Sequence, residues 1–225
     1  MAEQTIVDKL DALIEQKHLL KHPFYQAWNA GTLTRKTLQE YACQYYKHVD
    51  AFPRYISAVH SNCNDISVRQ ELLENLIEEE KGEENHPELW MRFASSLDVS
   101  RDEVIATNAY PETKHLVDTF MHLSKDTSVI EGIAALYAYE AQIPEVSTTK
   151  IDGLKKFYGV NDHHGLSFFV VHQEADTVHR QVGRDLLAQL IKTPEDEAKA
   201  MKAVDTSLDA LWNMLSGVQT RAMMN

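Results

Sequence analysis

Apolar residues recur along this chain at intervals of three and four, and few residues that break helices interrupt them. The segment 38–56 illustrates the pattern, because one helical face carries Leu38, Tyr41, Tyr45, Val49, Phe52 and Ile56. Gly 8 and Pro 6 in 225 residues leave few turn signals. Because this period is that of a helix and not of a strand, we predict an all-α bundle of seven or more helices, forming a single domain over residues 1–225.

Charge and composition restrict the classes of partner. The chain has 34 acidic and 22 basic residues, a formal net charge of −12 with histidine neutral, so it should repel nucleic acid and anionic membranes. No apolar run approaches the roughly 20 residues that cross a bilayer, and the N-terminus lacks a secretory pattern. Two cysteines, Cys43 and Cys63, give no disulfide framework. We expect a cytoplasmic protein without nucleic-acid or membrane partners.

Capping residues and prolines suggest where the helices begin and end. Thr34 is a typical N-cap, Ser100 and Glu103 have the spacing of a capping box, and Pro144 should interrupt a long helix. The predicted helices cover residues 4–21, 23–30, 35–62, 65–84, 86–97, a short segment after 100, 112–123, 127–158, 162–191 and 194–221.

The most informative positions are acids and imidazoles on faces that should be buried, because an unpaired buried charge is costly. His172, Asp176 and His179 stand at i, i+4 and i+7, so they share one face with the apolar Phe168 and Leu186. Two imidazoles and one carboxylate are typical ligands of a first-row transition metal. A histidine–carboxylate hydrogen-bond network in the core would explain the same pattern without a metal.

A second candidate segment ends in a histidine. Glu79 and His86 are seven residues apart and share a helical face, whereas Glu83 and His86 have the Glu-x-x-His spacing of di-metal bundles. These spacings do not choose between the two acids, although Glu79 also shares its face with the apolar Val68. Acidic helices ending in histidine are also common without metal. The neighbouring acids are expected to form a solvated surface: Glu78, Glu80 and Glu84.

Glu140 is the lone acid in the apolar run 133–141, so it should face inward. It could accept hydrogen bonds from tyrosine or histidine, or it could bridge two metal ions. Together the three segments offer Glu79, His86, Glu140, His172, Asp176 and His179. Three carboxylates and three imidazoles fit two metal ions better than one, and redox chemistry with dioxygen is a typical use of such a centre.

Several segments resemble the chlamydial protein associating with death domains and its bacterial relatives, over nearly the whole chain. The matching segments are 22–28 (HPFYQAW), 45–48 (YYKH), 51–53 (AFP), 85–86 (NH), 136–144 (LYAYEAQIP) and 172–176 (HQEAD). That family belongs to the heme-oxygenase-like di-metal oxidases and is related in fold to the TenA and PqqC proteins. The resemblance implies a seven-helix bundle with an Fe/Fe or Fe/Mn centre held by the six residues above, with Glu79 and not Glu83 as a ligand.

The same resemblance implies formation of 4-aminobenzoate for folate biosynthesis, with dioxygen as co-substrate and an external reductant. Tyr25 would supply the aromatic ring and Lys150 the amino nitrogen, so each chain would react once. Tyr41 and Tyr139 would relay electrons or donate hydrogen bonds. Phe168 departs from the family, whose members carry tyrosine there, so no radical role is expected at this position. The resemblance also implies a homodimer, whereas we do not expect death-domain binding.

Other functions remain open on the sequence. The chain could be a di-iron or cofactorless oxidase of the PqqC type that acts on a separate small molecule, or a non-enzymatic interaction module that uses the acidic segment 78–84. A thiaminase-type hydrolase would depend on Cys43, and heme binding on His18 or His22. Lys150 follows Glu140 by ten residues, about 15 Å along an ideal axis, so the helix must bend or the lysine must reach inward.

Overall fold

The computed structural model describes residues 5–224, except for the side chains of 174–177 and 222–224. Within these residues every regular element is helical, as predicted. The elements are α1 (Ile6–Gln16), a 3-10 turn (Leu19–Lys21), α2 (Pro23–Ala30), α3 (Arg35–Asn62), α4 (Ile66–Glu80), α5 (His86–Ser96), α6 (Arg101–Ala106), α7 (Pro111–Lys125), α8 (Val129–Glu140), α9 (Ile143–Phe157), α10 (His163–Leu190) and α11 (Pro194–Met224).

Local chemistry sets several helix ends. Thr34 caps α3 by accepting a hydrogen bond from a backbone N–H, as expected. Ser100 and Glu103 form the predicted capping box of α6. Gly31 ends α2 in the left-handed conformation with φ of 67°, which glycine adopts without steric cost. The described residues contain eleven α-helical segments instead of the seven implied by the resemblance, because short turns divide several long helices.

The predicted helix 127–158 is two helices, α8 and α9, with the interruption just before Pro144. Proline has no N–H to donate, and its ring would clash with the carbonyl four residues earlier, so α8 ends at Glu140. The buried side chain of Gln142 bridges the break. Its Oε1 accepts a hydrogen bond from the Leu19 N–H at 2.8 Å, and its Nε2 donates to the Ala138 carbonyl at 2.6 Å. The break therefore has a fixed geometry.

The helices pack around a continuous apolar core. Helix α3 lies against α4, α5 and α7, and α10 lies against α5, α8 and α9, while α11 packs on α7 and α8. This arrangement brings α4, α5, α8 and α10 together on one side of the bundle. Across the described residues, no helix has both the length and the apolar composition needed to cross a membrane.

Candidate metal centre

Three buried side chains from three different helices meet inside the bundle. Glu79 at the end of α4, His86 at the start of α5 and His172 on α10 have ligand atoms that all lie within 4.8 Å of one another. The His86 Nδ1 is 2.7 Å from Glu79 Oε2. The His172 Nδ1 lies 2.6 Å from the Phe168 carbonyl, so this nitrogen carries the proton and Nε2 keeps its lone pair. Burial holds the pKa of His172 well below its ordinary value, which favours the neutral imidazole that binds metals.

Glu140 and His179 form a second buried group next to the first. The His179 Nδ1 is 3.7 Å from Glu140 Oε1, and the Asn75 side-chain amide donates a hydrogen bond to the same oxygen at 2.7 Å. Glu78 approaches from the solvent side, with its Oε2 3.0 Å from the His179 Nε2. Because α4 carries both Glu79 and the pair Asn75 and Glu78, this one helix contributes side chains to both groups.

The structure brings five of the six predicted ligands to the interior, on α4, α5, α8 and α10. The side chain of Asp176, the sixth, lies outside the described part of the structure. Glu83 is exposed in the connection after α4, while Glu79 is buried, so the geometry favours Glu79. Sequence reasoning missed Asn75, although it precedes Glu79 by one helical turn. It also assigned Glu78 only to the solvated surface.

The chemistry of these donors fits a pair of transition-metal ions. Glu79 and Glu140 are carboxylates with about 4% of their surface exposed, and the groups facing them include the imidazoles of His86, His172 and His179. A mixed set of imidazole nitrogens and carboxylate oxygens suits iron, manganese or zinc. A bound cation would also offset the free-energy cost of burying two carboxylates.

A small cavity of ≈ 10 Å³ adjoins the first group, and its walls include Glu79, His86 and His172. Space of this size holds about one water-sized molecule. The remaining walls are largely apolar and come from Val49, Phe52, Tyr139 and Phe168. The Phe168 ring packs on the His172 ring with centroids 4.0 Å apart, so this position supports a ligand but offers no hydroxyl.

A row of buried tyrosines leads from this cavity toward α2. Tyr139 lines the cavity and accepts a hydrogen bond from the Tyr45 hydroxyl at 2.8 Å. The Tyr45 and Tyr41 rings are 5.2 Å apart, and the Tyr41 hydroxyl is 3.3 Å from that of Tyr25. Burial raises the pKa of both Tyr25 and Tyr41, so their hydroxyls stay protonated at neutral pH. Sequence reasoning named three of these tyrosines as site residues and gave Tyr45 no role in the site.

Lys150 reaches into the same aromatic cluster from α9. Its Nζ lies over five ring centroids: Tyr45 at 4.8 Å, Phe169 at 5.2 Å, Tyr41 at 5.3 Å, Trp90 at 5.6 Å and Tyr25 at 5.7 Å. Among the described residues, no carboxylate forms an ion pair with it. Burial lowers the pKa of Lys150 to about 7. The sequence allowed either a bend in the helix or a lysine that reaches inward. The structure has both, because the chain breaks before α9 and the Lys150 side chain points inward.

Two alternative functions, a hydrolase and a heme protein, would depend on Cys43 and on His18 or His22. The surroundings of these side chains differ from those of the candidate metal ligands. Cys43 is buried, its burial raises the pKa of the thiol, and it lines a surface groove beside α6. This disfavours the thiolate that a hydrolase would need. His18 and His22 each accept a hydrogen bond from the backbone N–H two residues on, and thus act as caps at the start of the 3-10 turn and of α2.

Comparison with known proteins agrees with this fold. The model of the TENA/THI-4/PQQC family matches residues 7–217. The chain belongs to this family. A protein of Nitrosomonas europaea named 4-aminobenzoate synthase is 43% identical, with 100% of this chain and 95% of that protein covered. A protein of the same name from Chlamydia pneumoniae is 42% identical over 93% of each chain. The fold also resembles the crystal structure of a TenA homolog from Pseudomonas syringae, with a TM-score of 0.85, 17% identity and coverage of 96% and 93%.

Proposed function

We propose that this member of the TENA/THI-4/PQQC family is an enzyme that forms 4-aminobenzoate from its own residues, with Tyr25 as the source of the ring and Lys150 as the source of the nitrogen. The names of its relatives support the product. One observation supports the source of the atoms: Lys150 is buried in a tyrosine cluster with its Nζ 5.7 Å from the centre of the Tyr25 ring.

Two metal ions, Fe/Fe or Fe/Mn, would be held by Glu79, His86, Glu140, His172, Asp176 and His179. When bound, these ions would supply the activation of dioxygen, with electrons from an external reductant. The protein's own contribution is to place a small cavity with largely apolar walls beside the first group. The cavity is small and largely apolar, so it admits a diatomic molecule more readily than a polar substrate.

Lys150 serves as the amine because burial favours its neutral form. With a pKa of about 7, roughly half of its side chains carry a lone pair at pH 7, against fewer than about one in a thousand for a solvated lysine. A neutral amine is a nucleophile, whereas an ammonium ion is not. The Tyr25 hydroxyl stays protonated and is oriented by Tyr41, which places the ring beside the amine.

A protein that loses its own tyrosine side chain reacts only once. We therefore expect at most one 4-aminobenzoate per chain, and we expect a homodimeric, cytoplasmic protein. The alternative is an oxidase of the PqqC type that acts on a separate small molecule, with Tyr25 only lining the site. The two functions differ in the origin of the product's atoms and in the number of turnovers.

Isotope labelling tests the proposal directly. Protein made with ring-¹³C tyrosine and ¹⁵N lysine, loaded with iron and manganese and given reductant and oxygen, should release doubly labelled 4-aminobenzoate, detected by mass spectrometry. Tyr25→Phe should release none. Tyr46→Phe is the matched control, because Tyr46 lies on α3 outside the buried row and should leave the yield unchanged. Unlabelled product, or repeated turnover of an added substrate, would contradict the proposal.

A further inference from the structure

Glu78 is a solvent-facing carboxylate in contact with a buried histidine of the candidate metal centre. About half of its side chain is exposed (52%), whereas that of His179 is 7% exposed. Its Oε2 lies 3.0 Å from the His179 Nε2, within hydrogen-bonding distance. Exposure alone would assign Glu78 to the acidic surface of α4, but this contact connects it to the interior.

The two nitrogens of His179 face different carboxylates. Nε2 faces Glu78 at 3.0 Å, while Nδ1 faces the buried Glu140 at 3.7 Å. A neutral imidazole has one N–H and one lone pair. If Nε2 carries the proton and donates it to Glu78, the Nδ1 lone pair points toward Glu140, into the interior of the centre.

His172 shows the same kind of arrangement. One of its nitrogens, Nδ1, lies 2.6 Å from the backbone carbonyl of Phe168, which leaves the other nitrogen for a ligand role. In metalloproteins, a histidine ligand usually donates its second N–H to a carboxylate or carbonyl, which fixes the ring and increases its basicity. Glu78 is placed to accept a hydrogen bond from His179, just as the Phe168 carbonyl accepts one from His172.

We infer that Glu78 is a positioning residue that fixes the tautomer and the orientation of His179, and thereby sets the affinity of the Glu140–His179 group for a divalent first-row cation. This inference rests on the proposed metal centre. It does not make Glu78 a ligand. It gives Glu78 a role of its own among the acids of α4, because Glu78 is the acid of this helix with a described ion-pair contact to His179.

Cobalt binding to the full-length, metal-free protein tests the inference without any measurement of activity. Titration with Co²⁺, followed by optical absorption, should resolve two equivalents in the wild type. Loss of such an outer carboxylate typically weakens metal affinity 10- to 100-fold. For Glu78→Leu we expect a loss of about this size in the affinity for one of the two equivalents, with the other equivalent unchanged. Glu78→Gln keeps an oxygen that accepts the N–H, so it should recover part of the affinity.

Glu74→Gln is the matched control, because Glu74 is an exposed acid of α4 that lines one cleft together with Glu78 and His179. It removes one negative charge and should change either affinity by less than about 2-fold, which measures the long-range effect of charge. Equal losses in Glu74→Gln and Glu78→Leu would overturn the inference, as would unchanged affinities in Glu78→Leu or binding of a single Co²⁺ by the wild type. Wild-type protein that binds two Co²⁺ but, loaded with iron and manganese, yields no 4-aminobenzoate would refute the proposed function while leaving the role of Glu78 intact.

Discussion

Lys150→Met should make the protein more stable at neutral pH, although it removes a side chain that we consider essential for function. Burial lowers the pKa of this lysine from 10.5 to about 7. Each pKa unit corresponds to 1.36 kcal/mol, so a charged Lys150 costs up to about 5 kcal/mol in the folded state. We therefore expect Lys150→Met to raise the free energy of unfolding by about 4–5 kcal/mol at pH 6.5.

The dependence on pH identifies the cause. Between pH 7 and 10.5 the unfolded chain binds a proton at Lys150 that the folded chain has lost, so the wild type gains stability as the pH rises. The slope for one proton is about 1.4 kcal/mol per pH unit, and the difference between the wild type and Lys150→Met should shrink accordingly. Both proteins contain the same other titrating groups, so subtracting one curve from the other isolates Lys150.

The measurement is urea unfolding followed by circular dichroism, at pH 6.5, 7.5, 8.5 and 9.5, on metal-free protein. Lys155→Met is the control, because Lys155 lies on the same helix but is exposed. It should leave both the stability and its pH dependence close to those of the wild type. If Lys150→Met follows the wild type in parallel at every pH, the lysine is not held neutral by burial, and its proposed role as the amine loses its physical basis.

Two further substitutions test the candidate metal centre and the packing of α9 against α2. Glu79→Gln keeps the shape of the side chain but removes its charge, so it should bind at least one equivalent of Co²⁺ fewer than the wild type, measured by titration and elemental analysis; full binding would show that Glu79 is not a ligand. Gly153→Ala adds a methyl group that would overlap the Trp28 indole, which costs about 1–3 kcal/mol against a gain of about 1 kcal/mol in helix propensity. Its melting temperature should fall, and an unchanged value would mean that α2 and α9 are less tightly packed than the structure indicates.

Much of the local structure could be predicted from the sequence because it depends on neighbouring residues. The intervals of three and four fixed the helical class, and the caps at Thr34 and Ser100 lie where their side chains predicted. Pro144 predicted an interruption because proline has no backbone N–H and its ring clashes with the carbonyl four residues earlier. The ends of α1 and α4 were less accurate, since both predicted helices extend four or five residues too far. Helix ends depend on competing local hydrogen bonds, which the apolar period does not describe.

The candidate site also combines features that the sequence predicted with features that only the tertiary structure shows. Helical spacing placed His172 and His179 on one face, and the apolar run around Glu140 indicated that this acid faces inward. The choice between Glu79 and Glu83 needed either the family resemblance or the tertiary structure, because both acids have plausible spacing from His86. The contact between Glu78 and His179 gave no signal at all, since the two residues are about a hundred positions apart.

The sequence by itself determined which residues share a helical face, because that depends only on the rotation per residue along one helix. The tertiary structure decided which faces meet. Lys150 shows the difference: on its own helix it is an ordinary lysine, but α2, α3, α5 and α10 surround its amine with five aromatic rings. Burial by distant helices, and not local sequence, is what lowers its pKa.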